Sequence, residues 1–180
     1  MSLTATIHHF KIELSDVDRG VYETLELKVA RHPSEAQDHL VTRVLAYCLE
    51  VTDGLNFSRG LFEPDEPALS VRDLTGQMRA WIDVGAPDAA RLHKAAKAAP
   101  RVAVYTHRSP AQLLRQLEGE RIHRGEDIEL YAIDRELVSA LAARLERRMH
   151  FDLSVTDRHL FISIGGATFS GDVERLALAA

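Results

Sequence analysis

The chain has 180 residues, 46% of them hydrophobic and 27% charged, with no low-complexity stretch; this composition excludes a disordered or fibrous polymer and predicts one domain with a core that needs no staples. Its 27 acidic against 22 basic residues give a formal charge of −5, which argues against tight non-specific gripping of nucleic acid. No apolar run approaches the roughly 18 residues that span a bilayer, and the amino terminus alternates instead of presenting a signal-peptide core, so a cytoplasmic protein without membrane association is expected.

Thr4 to Leu14 and Val21 to Val29 alternate at period two around the polar stretch Ser15 to Gly20, which predicts a long antiparallel hairpin. Arg31-His32-Pro33-Ser34-Glu35 then reads as a helix start. Proline is tolerated in the first turn, where its missing N–H would be unpaired anyway, and Glu35 suits the positive end of the dipole. Leu40, Val41, Val44, Leu45 and Cys48 fall on one helical face, and Thr52-Asp53-Gly54 ends the helix near Val51. Leu55 to Glu66, with Gly60 and Pro64, reads as a loop.

Strands follow over Ala68 to Arg72 and Gln77 to Val84, and Asp88 caps a helix that runs to Ala99. The β-branched run Arg101 to Thr106 has the continuous apolar character of a buried parallel strand. Next come a helix from Pro110 to about Ile122, a strand from Ile128 to Ile133, and a helix from Asp134 to Arg148. A hairpin of Phe151 to Val155 with Leu160 to Ile164 completes the order ββαββαβαβαββ. That order predicts an α/β (α+β) fold, a mixed sheet flanked by helices with hairpins at both ends.

Several chemistries find no support. Cys48 is alone and on an apolar helical stripe, so it reads as a small buried hydrophobe. The nine histidines lack the close paired spacing of a zinc helix, Gly165-Gly166 lacks the lysine of a P-loop, and no G-x-S-x-G elbow occurs.

Carboxylates are more informative. Asp83 lies inside the otherwise apolar Trp81-Ile82-Asp83-Val84, where an acid is costly unless it is paired or bound to a metal. Glu66 stands at the entrance to the preceding strand, and Lys94 is on the following helix. Magnesium takes hard oxygen ligands, commonly one or two carboxylates, and a nearby ammonium can stabilise a phosphoryl transition state. Each residue also has a plain reading. Asp83 can share a face with Trp81 and meet a surface base, Glu66 and Lys94 can be solvated, and Glu35 is explained by the helix dipole.

The phrases ARHPSE (Ala30 to Glu35), RGL with DEPAL (Arg59 to Leu69), RDLTG (Arg72 to Gly76), WIDVG-P (Trp81 to Pro87), RLHKA (Arg91 to Ala95) and VYT (Val104 to Thr106) together resemble the YaeQ family of small bacterial proteins over nearly the whole chain. The resemblance implies a variation on the PD-(D/E)XK nuclease core. It implies a hypothetical Mg²⁺-dependent phosphodiesterase site, with Glu35 as the acid of the first core helix, Glu66 in the place of the PD aspartate and Asp83 as the (D/E) carboxylate. Glu66 and Asp83 would hold the metal. Gly85 occupies the position of the motif lysine, whose part falls to Lys94 or, one turn earlier, to Arg91. Ser34 and Tyr105 are candidates to line the same cleft.

Two functions follow as expectations: a magnesium-dependent nuclease, or a non-catalytic interaction or regulatory protein that keeps the fold. In either case a monomer is expected, with at most weak nucleic-acid binding through a rim of Arg91, Lys94, Lys97 and Arg101.

Overall fold

A computed structural model describes residues 4–58 and 65–178 of the protein. In chain order the elements are β1 (Thr6–Asp16), β2 (Val21–Arg31), α1 (Gln37–Glu50), β3 (Leu55–Phe57), β4 (Leu69–Arg72), β5 (Met78–Val84), α2 (Ala89–Ala98), β6 (Arg101–Thr106), α3 (Pro110–Leu117), β7 (Glu129–Ile133), α4 (Arg135–Ala142), β8 (Arg148–Thr156), β9 (His159–Ile164) and β10 (Ala167–Leu176). The expected class, mixed sheet with flanking helices, is present. Gly60 and Pro64 of the expected loop, and the Arg59 end of its motif, lie outside the described residues.

The chain groups into two compact units. One contains the residues up to Val41 together with Ile133–Glu174, and the other contains Thr42–Ala132 with the residues from Arg175.

In the first unit, β1 and β2 pair antiparallel without a slip from Thr6↔Arg31 to Asp16↔Val21. β8 runs parallel to β1, and β9 and β10 continue antiparallel. Alternation puts Phe10, Ile12 and Leu14 of β1, Leu25, Leu27 and Val29 of β2, and Phe151, Leu153 and Val155 of β8 into the core. Each such side chain contributes on the order of 1.5–3 kcal/mol by leaving water.

Three expectations are corrected here. The helix α4 ends at Ala142, not Arg148, because the following backbone is captured by β1. His9 N donates to Arg147 O at 2.7 Å, and the His8 ring bonds Glu146 O at 2.8 Å. The Pro33 stretch is a tight turn and not a helical start. Glu35 N donates to His32 O, the His32 ring bonds Ser34, and the first helical bond is Leu40 N to Ala36 O. Finally, β10 follows the Gly165-Gly166 turn as a full strand.

Within β10, Gly171 lies against the start of α4. A Cβ there would stand 2.6 Å from Asp134 Cβ. Asp134 caps α4, its carboxylate accepting from Glu136 N and Leu137 N, while its own N donates to Asp172 O. The missing side chain therefore lets a helix start rest directly on a strand.

In the second unit β3, β4 and β5 are antiparallel, and β5, β6 and β7 are parallel. β3 lies where a loop was expected; it is three residues long and has no period of its own. The helices α2 and α3 cover one face, where Trp81, Leu92, Ala95, Val102, Val104, Leu113 and Leu130 form the core. α3 stops at Leu117, short of Ile122, with its last turn bonded from Glu118 N to Leu114 O. On α1, Tyr47 stacks on Phe57 of β3 at 4.9 Å. Cys48 is buried as expected, and burial pushes its thiol up to about 12.

Gly171→Ala should destabilise the protein by about 1–3 kcal/mol, because the neighbouring atoms are a helix cap that cannot retreat. The check is the urea midpoint at unchanged slope. Parent-like stability would contradict the close approach.

Candidate functional site

In β5 the alternation places Trp81 and Asp83 on the side covered by α2, and Ala80 and Ile82 on the other. Asp83 is 3% exposed. A carboxylate so placed needs a counter-charge, and α2 supplies it. Asp88 caps that helix by accepting from Arg91 N at 2.8 Å. This sets Arg91 at the start of the helix, where its guanidinium grips Asp83 with two bonds: Nε to Oδ2 at 2.7 Å and Nη2 to Oδ1 at 3.1 Å. Nη2 also donates to Glu66 O at 2.7 Å, and the guanidinium carbon lies 5.4 Å from the centroid of Trp81.

Gly85 follows the strand at φ +101, with its N–H donating to Tyr105 O at 2.9 Å. A lysine at this position would be forced into a left-handed backbone that favours glycine.

The four expected site residues fall as follows. Glu66 is exposed and reaches Arg91 through its backbone carbonyl, not its carboxylate. Lys94, one turn beyond Arg91, bonds Asp65, and both side chains are half exposed or more. Asp83 is the buried partner of Arg91. These three belong to the second unit, whereas Glu35 belongs to the first, where it is buried, bonds the His39 ring at 2.5 Å, and accepts through its carbonyl from Arg31 Nε. Ser34 is exposed and bonds His32. Tyr105 pairs with Val84 while Asp83 pairs with Val104, so Tyr105 points to the opposite face of the sheet from Asp83.

The residues do not present magnesium with a pair of uncommitted carboxylates. Both oxygens of Asp83 carry guanidinium bonds, and among the described residues no group of three or more His, Cys, Asp and Glu side chains is placed to hold a metal ion.

A second charged cluster occupies the opposite face of the same sheet and was not anticipated. Arg101 is held between two acids. It donates from Nη1 and Nη2 to Glu50 at 2.9 Å each, from Nε to Glu129 at 2.6 Å, and from Nη2 to Glu129 at 3.0 Å. Tyr105 OH donates to Glu50 at 2.7 Å and Tyr131 OH to Glu129 at 2.6 Å, with the two rings stacked at 4.9 Å. Arg175 donates to Tyr131 OH at 3.0 Å.

The electrostatics follow from this closed set. Burial works against the Arg101 charge, but Glu50 and Glu129 overcome it and hold the guanidinium more firmly protonated than usual. Burial, with Glu50 beside it, raises the Tyr105 phenol well above its usual value. Burial opposes the Glu129 charge as well, yet the Arg101 bonds prevail and lower its carboxyl. The cluster was legible in principle, as polar positions on one face of each strand (101 and 105, then 129 and 131) inside otherwise apolar strands. What hid it was Glu50, which arrives from the end of α1.

Three of the four residues of the expected basic rim, Arg91, Lys94 and Arg101, are therefore ion-paired. Among the described residues no helix is long and apolar enough to cross a membrane.

A model of the YaeQ protein family matches residues 1–172. The Escherichia coli (strain K12) protein named "Uncharacterized protein YaeQ" is 31% identical over 164 residues, 91% of each chain, and the Salmonella typhi protein of the same name is 30% identical over the same share. Among solved structures, the YaeQ protein from Pseudomonas syringae superposes with a TM-score of 0.86 at 28% identity over 96% of both chains. That from Xanthomonas axonopodis pv. citri superposes with a TM-score of 0.85 at 30% identity over 98% of this chain and all of its own.

Two outcomes follow from these geometries. Asp83→Asn should cost about 2–3 kcal/mol in a urea melt, because it leaves Arg91 without its charge partner, the value sitting below a fully buried pair since Arg91 is partly exposed. A loss under about 0.5 kcal/mol would instead fit carboxylates that repel one another. For Glu129, whose folded carboxyl is lowered, the stabilisation is full above its ordinary 4.5 and fades as the pH falls through the lowered value. The stability gap between the parent and Glu129→Gln should thus be constant near neutrality and close in acid; a gap that widens in acid would contradict the assignment.

Proposed function

Because the chain belongs to the YaeQ family, matched over residues 1–172, we propose that it is a non-catalytic interaction or regulatory protein. In this reading it is a cytoplasmic monomer that retains a PD-(D/E)XK nuclease-like core. The observation that carries the reading is the bidentate grip of Arg91 on Asp83. A buried carboxylate whose two oxygens are spent on a guanidinium has no charge left over for a cation, and removing the guanidinium to make room would strand a buried acid. Gly85 in place of the motif lysine, and Lys94 turned to Asp65, point the same way.

A second reading, a Mg²⁺-dependent phosphodiesterase using Glu35, Glu66, Asp83 and Lys94, is favoured by one observation. The backbone carbonyl of Glu66 and the carboxylate of Asp83 meet at the same guanidinium, and Lys94 follows Arg91 by one turn of α2. A cation that displaced Arg91 would find Asp83 already buried beside it.

Thermal melts with magnesium and manganese, run beside a cleavage assay on a DNA and RNA panel, separate the two. Up to about 10 mM of either metal should shift the melting temperature by less than about 1 °C, because only a ligand that binds the folded state raises it. No cleavage should occur. A metal-dependent rise that disappears in Asp83→Asn, with cleavage that disappears in both Asp83→Ala and Lys94→Ala, would establish the enzyme instead.

A further inference from the structure

The first unit carries a group of exposed cations to which none of the second-unit candidates Glu66, Asp83 and Lys94 belongs. On the solvent face of its sheet the register sets Lys28, His9 and Arg148 side by side across β2, β1 and β8, with Glu26, Lys11 and His150 in the next row. All six are exposed. Adjacent strands are about 4.8 Å apart, so each row spans roughly 10 Å, within reach of long basic side chains. Lys28, Arg147 and Arg148 form no ion pair among the described residues, in contrast to Arg91, Lys94 and Arg101.

Two shallow hollows lie over this area and meet at His9 and Arg148. One, of about 500 Å³, lies over the two rows. The other, of about 600 Å³, continues past the start of β1 along Thr4, Thr6, Ile7 and Arg147, and no acid lines it. In the opposite direction the face turns acidic, with Glu13 directly beside Asp152 in the third row. A polyanion laid on Lys28 and Arg148 is thus attracted toward the β1 start and repelled from the far end. Hollows of this size take a nucleotide-sized group each and not a duplex.

We propose that this row is a docking surface for the sugar-phosphate backbone of single-stranded nucleic acid, held mainly by Lys11, Lys28, Arg147 and Arg148. The surface is independent of the reading of Asp83, since it uses none of Glu66, Asp83 or Lys94. Binding is weak and sequence-tolerant, because phosphate contacts position a strand without reading its bases. Four contacts to a single strand give a slope of about −2.8 in log affinity against log salt, at roughly −0.7 per contact.

The test is the fluorescence anisotropy of labelled RNA and DNA strands of about 20 nucleotides, titrated with the full chain from about 50 mM salt upward. The double variant Lys28→Gln/Arg148→Gln should bind at least about tenfold more weakly, with a slope shallower by about 1.4, while Lys97→Gln on α2 stays within about twofold of the parent. Glu13→Gln/Asp152→Asn should bind about threefold more tightly, a gain that misfolding cannot produce. No binding by the parent, unchanged affinity in the double variant, or an equal loss in Lys97→Gln overturns the proposal. Binding to phosphatidylserine vesicles but not to oligonucleotides would assign the row to a membrane surface and overturn nucleic acid as the partner.

Discussion

The second unit is organised by one constraint: an aspartate has been set inside an apolar strand and must be neutralised there. Asp83 cannot turn to water, since β5 has β4 on one side, β6 on the other, and a helix over its face. The answer is a guanidinium delivered by α2, and the sequence around it serves that delivery. Asp88 starts the helix so that Arg91 falls at its first turn, and Trp81 gives the guanidinium a flat apolar neighbour. The third bond of Arg91 pins the Glu66 carbonyl and with it the approach to β4. Arginine is suited to this in a way lysine is not, because one planar group satisfies the carboxylate and the carbonyl together.

The opposite face of the sheet obeys the same rule with the signs exchanged. There a base, Arg101, is carried toward the interior and flanked by two acids, and the phenols of Tyr105 and Tyr131 take up remaining lone pairs of those acids. Both sites are balanced, which is the condition under which buried charge is tolerable. The first unit differs in kind: its polar groups stand on an open sheet face where water screens them, so charge there can remain unpaired without a large cost.

Legibility in the sequence tracked how local each cause was. The hairpin of β1 and β2, the strands β5 and β6, and the Asp88 cap rest on period and turn chemistry within a few residues, and the structure has them where the pattern put them. The outward-facing reading of Asp83 beside Trp81 also held for the face but not for the burial, because burial is decided by α2 and not by the strand. The turn at Pro33 and the early end of α3 are local and were still misread, whereas the other failures depended on partners distant in the chain. The early end of α4 is imposed by β1, more than a hundred residues away, and β10 carries a glycine whose role is visible only against Asp134. Likewise Glu50, the last residue of α1, looks like an ordinary helix-end acid until Arg101 and Tyr105 are seen against it. The candidate set was partly legible. Asp83 and the backbone carbonyl of Glu66 share the guanidinium of Arg91, the residue expected only as an alternative to Lys94, while Lys94 itself pairs with Asp65.

The central claim, that Asp83 is committed to Arg91, is tested most directly by a double-mutant cycle of Asp83→Asn and Arg91→Gln on folding stability, with and without magnesium. A coupling of about 1.5 kcal/mol or more that is the same in both conditions is the predicted result, as contacting charged residues that share bonds are strongly non-additive. A coupling below about 0.5 kcal/mol, or one that magnesium abolishes, would contradict it.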